Sequence, residues 1–178
     1  MDGEFILSGE NVMIIGTPYQ FSIIAKVLDE WNEERQPFYN GILLFCIDGA
    51  LFPKEIVTAT LGADIPELKK NLLKIIVDEK IFSKEKECAF REMYMATFPD
   101  DNEVDNDYQY LISPTTLSDL HCFVFAVSNG KQTKILASKL DYTENDSYYS
   151  LDGIYIAETV ISNDELHKIV LALEHVLE

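Results

Sequence analysis

Asn40-Gly41-Ile42-Leu43-Leu44-Phe45-Cys46-Ile47-Asp48-Gly49-Ala50-Leu51-Phe52-Pro53 is the stretch that decides the fold. Apolar residues run unbroken from Ile42 to Ile47, Asp48-Gly49 interrupts them, and Ala50-Leu51-Phe52 resumes. An Asp-Gly pair between apolar runs predicts a hairpin, because both turn positions need φ > 0 and these two residues tolerate it. Both parities of the first run are apolar: Leu43, Phe45 and Ile47 on one face, Ile42, Leu44 and Cys46 on the other. Such a strand is covered on both faces, so it is central and the other elements pack around it.

Upstream, Val12–Ile15 reads as a short strand. Thr17-Pro18 reads as an N-cap and first helical residue, with Phe21, Ile24, Leu28 and Trp31 forming one helical stripe that Gln36-Pro37 ends. Downstream, Glu55–Leu61 reads as a strand rich in β-branched residues. Asp64-Ile65-Pro66-Glu67 reads as the start of a helix, with an Asp cap, an early proline and Glu at the capping-box position; Leu68 and Leu72 face inward and Lys69, Lys70 and Lys74 face water. A further helix spans Ser83 to Thr97, with Phe90 and Met93 inward. Tyr108–Ile112, His121–Val127, Gln132–Leu140 and Ile154–Ile161 read as strands, the middle two joined at Ser128-Asn129-Gly130-Lys131. Ser162–Glu165 has the S-x-x-E capping-box spacing and opens a last helix, with Leu166, Ile169, Val170, Leu173 and Val176 as its core stripe. The expectation is one α+β domain over residues 1–178, with helices packed on a mixed, mainly antiparallel sheet.

The 178 residues are 47% hydrophobic, enough for a sizeable core without disulfides or metals. Cys46, Cys88 and Cys122 are odd in number, lack C-x-x-C spacing and sit in apolar text, so buried free thiols in a reducing cytosol are expected. The N-terminus has no basic region ahead of a long apolar core, and no apolar run reaches the ~18 residues of a membrane span. The expected location is the cytoplasm.

Charge is the unusual feature. Against 14 Lys+Arg stand 31 Asp+Glu, a net −17, which disfavours nucleic acid and anionic membrane and steers cationic partners inward. The excess is segregated. Residues 1–91 hold 10 basic and 15 acidic side chains, net −5, and residues 92–178 hold 4 and 16, net −12. No Lys or Arg lies between Arg91 and Lys131, and a second acid-only span runs from Asp141 to Glu165. Two loops carry these acids together with tyrosines, which are enriched at protein interfaces. They are Asp100, Asp101, Glu103, Asp105, Asp107, Tyr108 and Tyr110 in one, and Asp141, Glu144, Asp146, Tyr148, Tyr149 and Asp152 in the other. The expectation is that these residues bind a cationic protein; the competing docking face is the helix around Lys69–Lys74.

Chemistry is not assigned. His121 and Cys122 are strand neighbours that point to opposite faces and cannot form a dyad. Read as EF-hand loops, the spans from Asp101 and Asp141 lack the Gly at position 6 and the Glu at position 12. The three cysteines and His121, His167 and His175 show no zinc-ligand pairing, and no G-x-G-x-x-G or G-x-x-x-x-G-K-S/T phosphate loop occurs. No catalytic residue, metal or cofactor is expected.

Two stretches together resemble a known family. Ile14-Ile15-Gly16-Thr17-Pro18-Tyr19-Gln20-Phe21-Ser22-Ile23 is similar to a G-D/T-P-x-x-F-A/S-I pattern, with Trp31 at the end of the same segment. Asn40-Gly41-Ile42 and Ile47-Asp48-Gly49, followed by Phe52-Pro53, resemble N-G-I and I-D-G elements. Both belong to immunity family 42 of the bacterial polymorphic-toxin systems, which includes contact-dependent growth-inhibition immunity proteins. The resemblance covers roughly the first 60 residues. It implies a small, non-catalytic cytoplasmic protein that binds and neutralises one cognate toxin C-terminal domain, often a nuclease, through variable surface segments. A nuclease carries a basic cleft for phosphate, which agrees with the separate charge reading. The alternative class is an acidic α+β enzyme or small-molecule-binding domain; rescue of cells by co-expression with the upstream toxin discriminates the two.

Overall fold

The computed structural model describes residues 12–33, 38–141 and 151–177. Its centre is β3 (Asn40–Ile47). This strand pairs antiparallel with β2 (Phe21–Val27) on one side and with β4 (Ala50–Phe52) and β5 (Ala59–Thr60) on the other. β1 (Met13–Thr17) completes the first sheet beside β2. Asp48 at φ 49° and Gly49 at φ 76° form the two-residue turn into β4.

The second sheet is β6 (Cys122–Ser128), β7 (Gln132–Lys139) and β8 (Ala157–Ser162) in that order, again antiparallel. β6 is buried along its whole length because it serves two cores. Cys122, Val124 and Ala126 join Leu43, Phe45 and Ile47 of β3 in a cluster between the sheets. Phe123, Phe125 and Val127 face a second, aromatic cluster.

Helices close both clusters. α1 (Leu61–Leu73) and α5 (Asn163–Ala172) cover the first with Ile65, Leu68, Leu72, Leu166, Ile169 and Val170. α2 (Glu79–Phe82) and α3 (Lys86–Thr97) cover the second with Ile81, Phe90, Met93 and Tyr94. The capping box of α5 is complete: Glu165 N–H donates to Ser162 Oγ at 3.2 Å and Ser162 N–H to Glu165 Oε2 at 3.0 Å. α4 (Thr115–Asp119) has no cap of its own; Glu67 on α1 accepts from Thr115 N–H at 3.0 Å and from its hydroxyl at 3.2 Å.

The α+β class and the largely antiparallel pairing hold, with the strands divided between two sheets. Several elements differ from the sequence reading. The segment after Thr17-Pro18 is strand β2, not a helix. Phe21, Ile23 and Ala25 alternate onto the core face beside Ile47, Phe45 and Leu43 of β3, and pairing over seven positions overrides a stripe that also fits helical spacing. Thr17-Pro18-Tyr19-Gln20 is a turn, in which Gln20 N–H donates to Thr17 O at 2.9 Å. The strand expected over Glu55–Leu61 shrinks to Ala59–Thr60, and α1 starts at Leu61, so Asp64 is inside its first turn and not its cap. The helix expected over Ser83–Thr97 begins only at Lys86, after the separate short α2. Tyr108–Ile112 makes a single bridge, Leu111 to Phe125, and β8 starts at Ala157. Cys46 and Cys122 are buried as expected, but Cys88 is exposed on α3.

Candidate functional site

The first acidic loop follows α3 and is tied to the aromatic cluster at both ends. Phe98, just past the helix, stacks edge-on with Phe123 at 5.2 Å between ring centroids and with Tyr108 at 6.2 Å. Asp107 N–H donates to Ala96 O at 2.9 Å, which closes the loop onto the last turn of α3. Between these anchors Asp100, Asp101, Glu103, Asp105, Asp107 and Tyr108 are exposed.

The carboxylates divide by partner. Asp101 accepts from Glu103 N–H at 2.9 Å; Asp107 accepts from Gln109 N–H at 3.1 Å and from its side-chain amide at 2.6 Å. These two shape the loop through Asx turns. Among the described residues Asp100, Glu103 and Asp105 have no ion-pair or hydrogen-bond partner for their carboxylates. They follow α3, whose last turn holds no basic residue to pair with them.

Tyr110 is placed differently from Tyr108. It lies buried in the aromatic cluster, and its hydroxyl donates to Asp78 Oδ2 at 2.9 Å. Burial raises its phenol to about 12, and the neighbouring Asp78 carboxylate reinforces the shift. Asp78 also caps α2 by accepting from Ile81 N–H at 3.1 Å; that bond, helped by Tyr110, holds its carboxyl below the usual range. Tyr110 is therefore a packing residue that fixes the root of the loop.

In the second loop, Asp141 is exposed, and Asp152 pairs with Arg91 of α3. Glu144, Asp146, Tyr148 and Tyr149 lie outside the described residues. The Arg91–Asp152 pair brings the end of this loop to α3, the helix that carries the first. The alternative face on α1 is partly engaged: Lys69 pairs with Glu174, while Lys70 and Lys74 are exposed.

The N-terminal motif residues are built into the sheet. Gly16 has φ +103°, and a Cβ there would stand 2.4 Å from Phe21 O. A Cβ on Gly41 would stand 2.0 Å from Lys26 O. Both glycines let adjacent strands approach, which is a structural requirement and not a binding one.

Residues 13–176 match the profile of the family described as Immunity protein 42. The chain belongs to this family. Membership extends the resemblance read from the first 60 residues over both sheets and both acidic loops. Among solved structures the chain is similar to CdiI from Burkholderia dolosa AUO158, with 25% identity and a TM-score of 0.72. That similarity covers 91% of this chain and 98% of the other. Comparison with curated proteins finds no match. Among the described residues no group of three or more His, Cys, Asp or Glu side chains is arranged to hold a metal, and no helix is long and apolar enough to cross a membrane.

Sequence patterning located the acidic loop but could not separate its members. Tyr108 and Tyr110 are two residues apart in similar text, and only the position of Phe98 and Asp78 makes one exposed and the other buried.

Proposed function

We propose that this immunity protein acts in the cytoplasm as a non-catalytic inhibitor, with residues 1–178 working as one domain. Its target is the C-terminal domain of a cognate contact-dependent growth-inhibition toxin, a basic nuclease, whose substrate cleft it blocks. The observation that carries this reading is the set of exposed carboxylates Asp100, Glu103 and Asp105, without partners among the described residues, on a loop held at both ends. Such groups offer charge-assisted hydrogen bonds to Arg and Lys that otherwise hold phosphate. Tyr108 supplies an aromatic contact beside them. Asp141 and Asp152 extend the surface, with Glu144, Asp146, Tyr148 and Tyr149 as the further contacts proposed for the second loop.

The test is a triple replacement, Asp100→Asn, Glu103→Gln and Asp105→Asn, which leaves the turn-forming Asp101 and Asp107 intact. Its association rate with the toxin domain encoded upstream is measured by stopped flow across salt concentration. The wild-type rate falls as the Debye length shrinks from ~10 Å at 0.1 M to ~3 Å at 1 M, and the triple variant starts slower and falls less. An unchanged rate and affinity at low salt in a folded variant places the interface elsewhere. Blocking of the cleft predicts in addition that a short oligonucleotide and this protein compete for the toxin.

A further inference from the structure

We infer that Trp31, Phe38 and Tyr39 form a second, aromatic contact for the same cationic partner, at the end of the first sheet opposite the Asp48-Gly49 turn. The inference rests on the proposed function. Trp31 is 41% exposed, Phe38 51% and Tyr39 41%, and all three come from one short excursion between β2 and β3. Isolated exposed apolar residues are ordinary, but three aromatics from one segment are not what solubility favours.

The described ends of the excursion, at Asn32 and at Phe38–Asn40, are held by hydrogen bonds. The Asn32 side-chain amide donates to Leu28 O at 2.7 Å and to Asn40 O at 2.8 Å, and its carbonyl accepts from Asn40 N–H at 2.6 Å. Asn40 Nδ2 in turn donates to Trp31 O at 3.1 Å. On the other side Leu61 N–H donates to Tyr39 O and Gly62 N–H to Phe38 O, both at 3.0 Å. Tyr39 sits at φ 47°, a conformation that a bulky residue keeps only when its surroundings enforce it and one that concentrates at functional positions. Rigid aromatic side chains lose little conformational freedom on docking, which is why they dominate the energetic centres of interfaces.

Charge selects the occupant. A second copy of this chain brings another −17, and nucleic acid and anionic lipid are also negative, so each is repelled. Asp29 and Glu30 are exposed immediately beside Trp31 and have no partner among the described residues. Aromatic faces with carboxylates at their rim suit Arg and Lys, through cation–π contact and ion pairing together. The fitting partner is therefore a cationic protein surface.

Trp31 is the sole tryptophan, so 5-fluorotryptophan gives a probe with one resonance. The full-length chain carrying it is mixed with the toxin domain encoded immediately upstream, and binding is measured in parallel by calorimetry. The expected result is a shifted fluorine resonance on complex formation and at least a tenfold loss of affinity in both Trp31→Ala and Phe38→Ser. Phe38→Ser removes the most exposed ring, so a folded variant is retained if Trp31→Ala proves unstable. Wild-type protein that binds, with an unmoved resonance and Phe38→Ser within twofold of wild type, overturns the inference while the proposed function stands. No binding by wild type removes the proposed function and this inference with it. A wild-type dimer that Phe38→Ser dissociates assigns the patch to a second copy and also overturns it.

Discussion

Gly41→Ala is the most demanding test of how the first sheet is built. Gly41 pairs with Val27 at the end of the β2–β3 ladder. A Cβ at this position would lie 2.0 Å from Lys26 O, 2.9 Å from Lys26 C and 2.8 Å from Leu61 Cδ1. Leu61 can turn aside, but the Lys26 carbonyl is backbone. Relief to about 3 Å needs roughly 1 Å of separation between β2 and β3, which takes a neighbouring hydrogen bond near 3 Å beyond the bonding range. The adjoining bond from Leu28 N–H to Asn40 O, at 3.1 Å, is the first to go. One or two lost bonds at about 1 kcal/mol each, with ~1–3 kcal/mol of overpacking, give a destabilisation of about 2–5 kcal/mol. For a chain of this size that lowers Tm by roughly 4–20 °C. Gly49→Ala is the control: its Cβ meets nothing within 4 Å, and only the φ of +76° opposes it, costing about 1–2 kcal/mol. Urea unfolding followed by circular dichroism measures both. A Gly41→Ala midpoint as mild as that of Gly49→Ala, with unchanged slope, refutes the close-approach argument.

Ser162→Ala removes the reciprocal cap of α5 and lowers stability by about 1 kcal/mol, read as a shifted urea midpoint; no shift would mean that packing of Leu166, Ile169 and Val170 alone holds the helix start. Tyr110 predicts a dependence on alkaline pH. Its folded pKa of about 12 lies above the ordinary 10, so the stability it contributes is complete below pH 10 and is lost as pH rises through 12. The difference in ultraviolet titration between wild type and Tyr110→Phe then shows a phenol ionising near 12, and a difference step near 10 contradicts the buried Asp78 bond.

The two parts of this protein follow different design rules. In the sheets, each residue choice serves packing: Gly16 and Gly41 for strand approach, Phe21 stacked on Phe45 at 6.0 Å, and β6 buried on both faces. In the loop after α3, Asp100, Glu103 and Asp105 are exposed and have no partner among the described residues.

The sequence by itself determined the features with a short-range physical cause. Asp48-Gly49 sets a two-residue turn because its backbone needs positive φ at two positions, and Ser162–Glu165 starts a helix because two orphan N–H groups find side-chain acceptors within four residues. The doubly apolar run of β3, the inward stripe of α5 and the charge asymmetry are equally local facts of composition and period. Tertiary structure decided what depends on partners far along the chain. Phe21–Val27 is a strand because β3 offers seven pairing positions, although its apolar spacing also fits a helix. Tyr110 is buried because Asp78, distant in sequence, takes its hydroxyl, and the same arrangement leaves Tyr108 at the surface. Trp31, Phe38 and Tyr39 lie exposed beside the point where the Asn32 side chain bonds Leu28 and Asn40 across the ends of two strands. Period and turn chemistry act over a few residues, whereas burial is settled by long-range contacts that no local window contains.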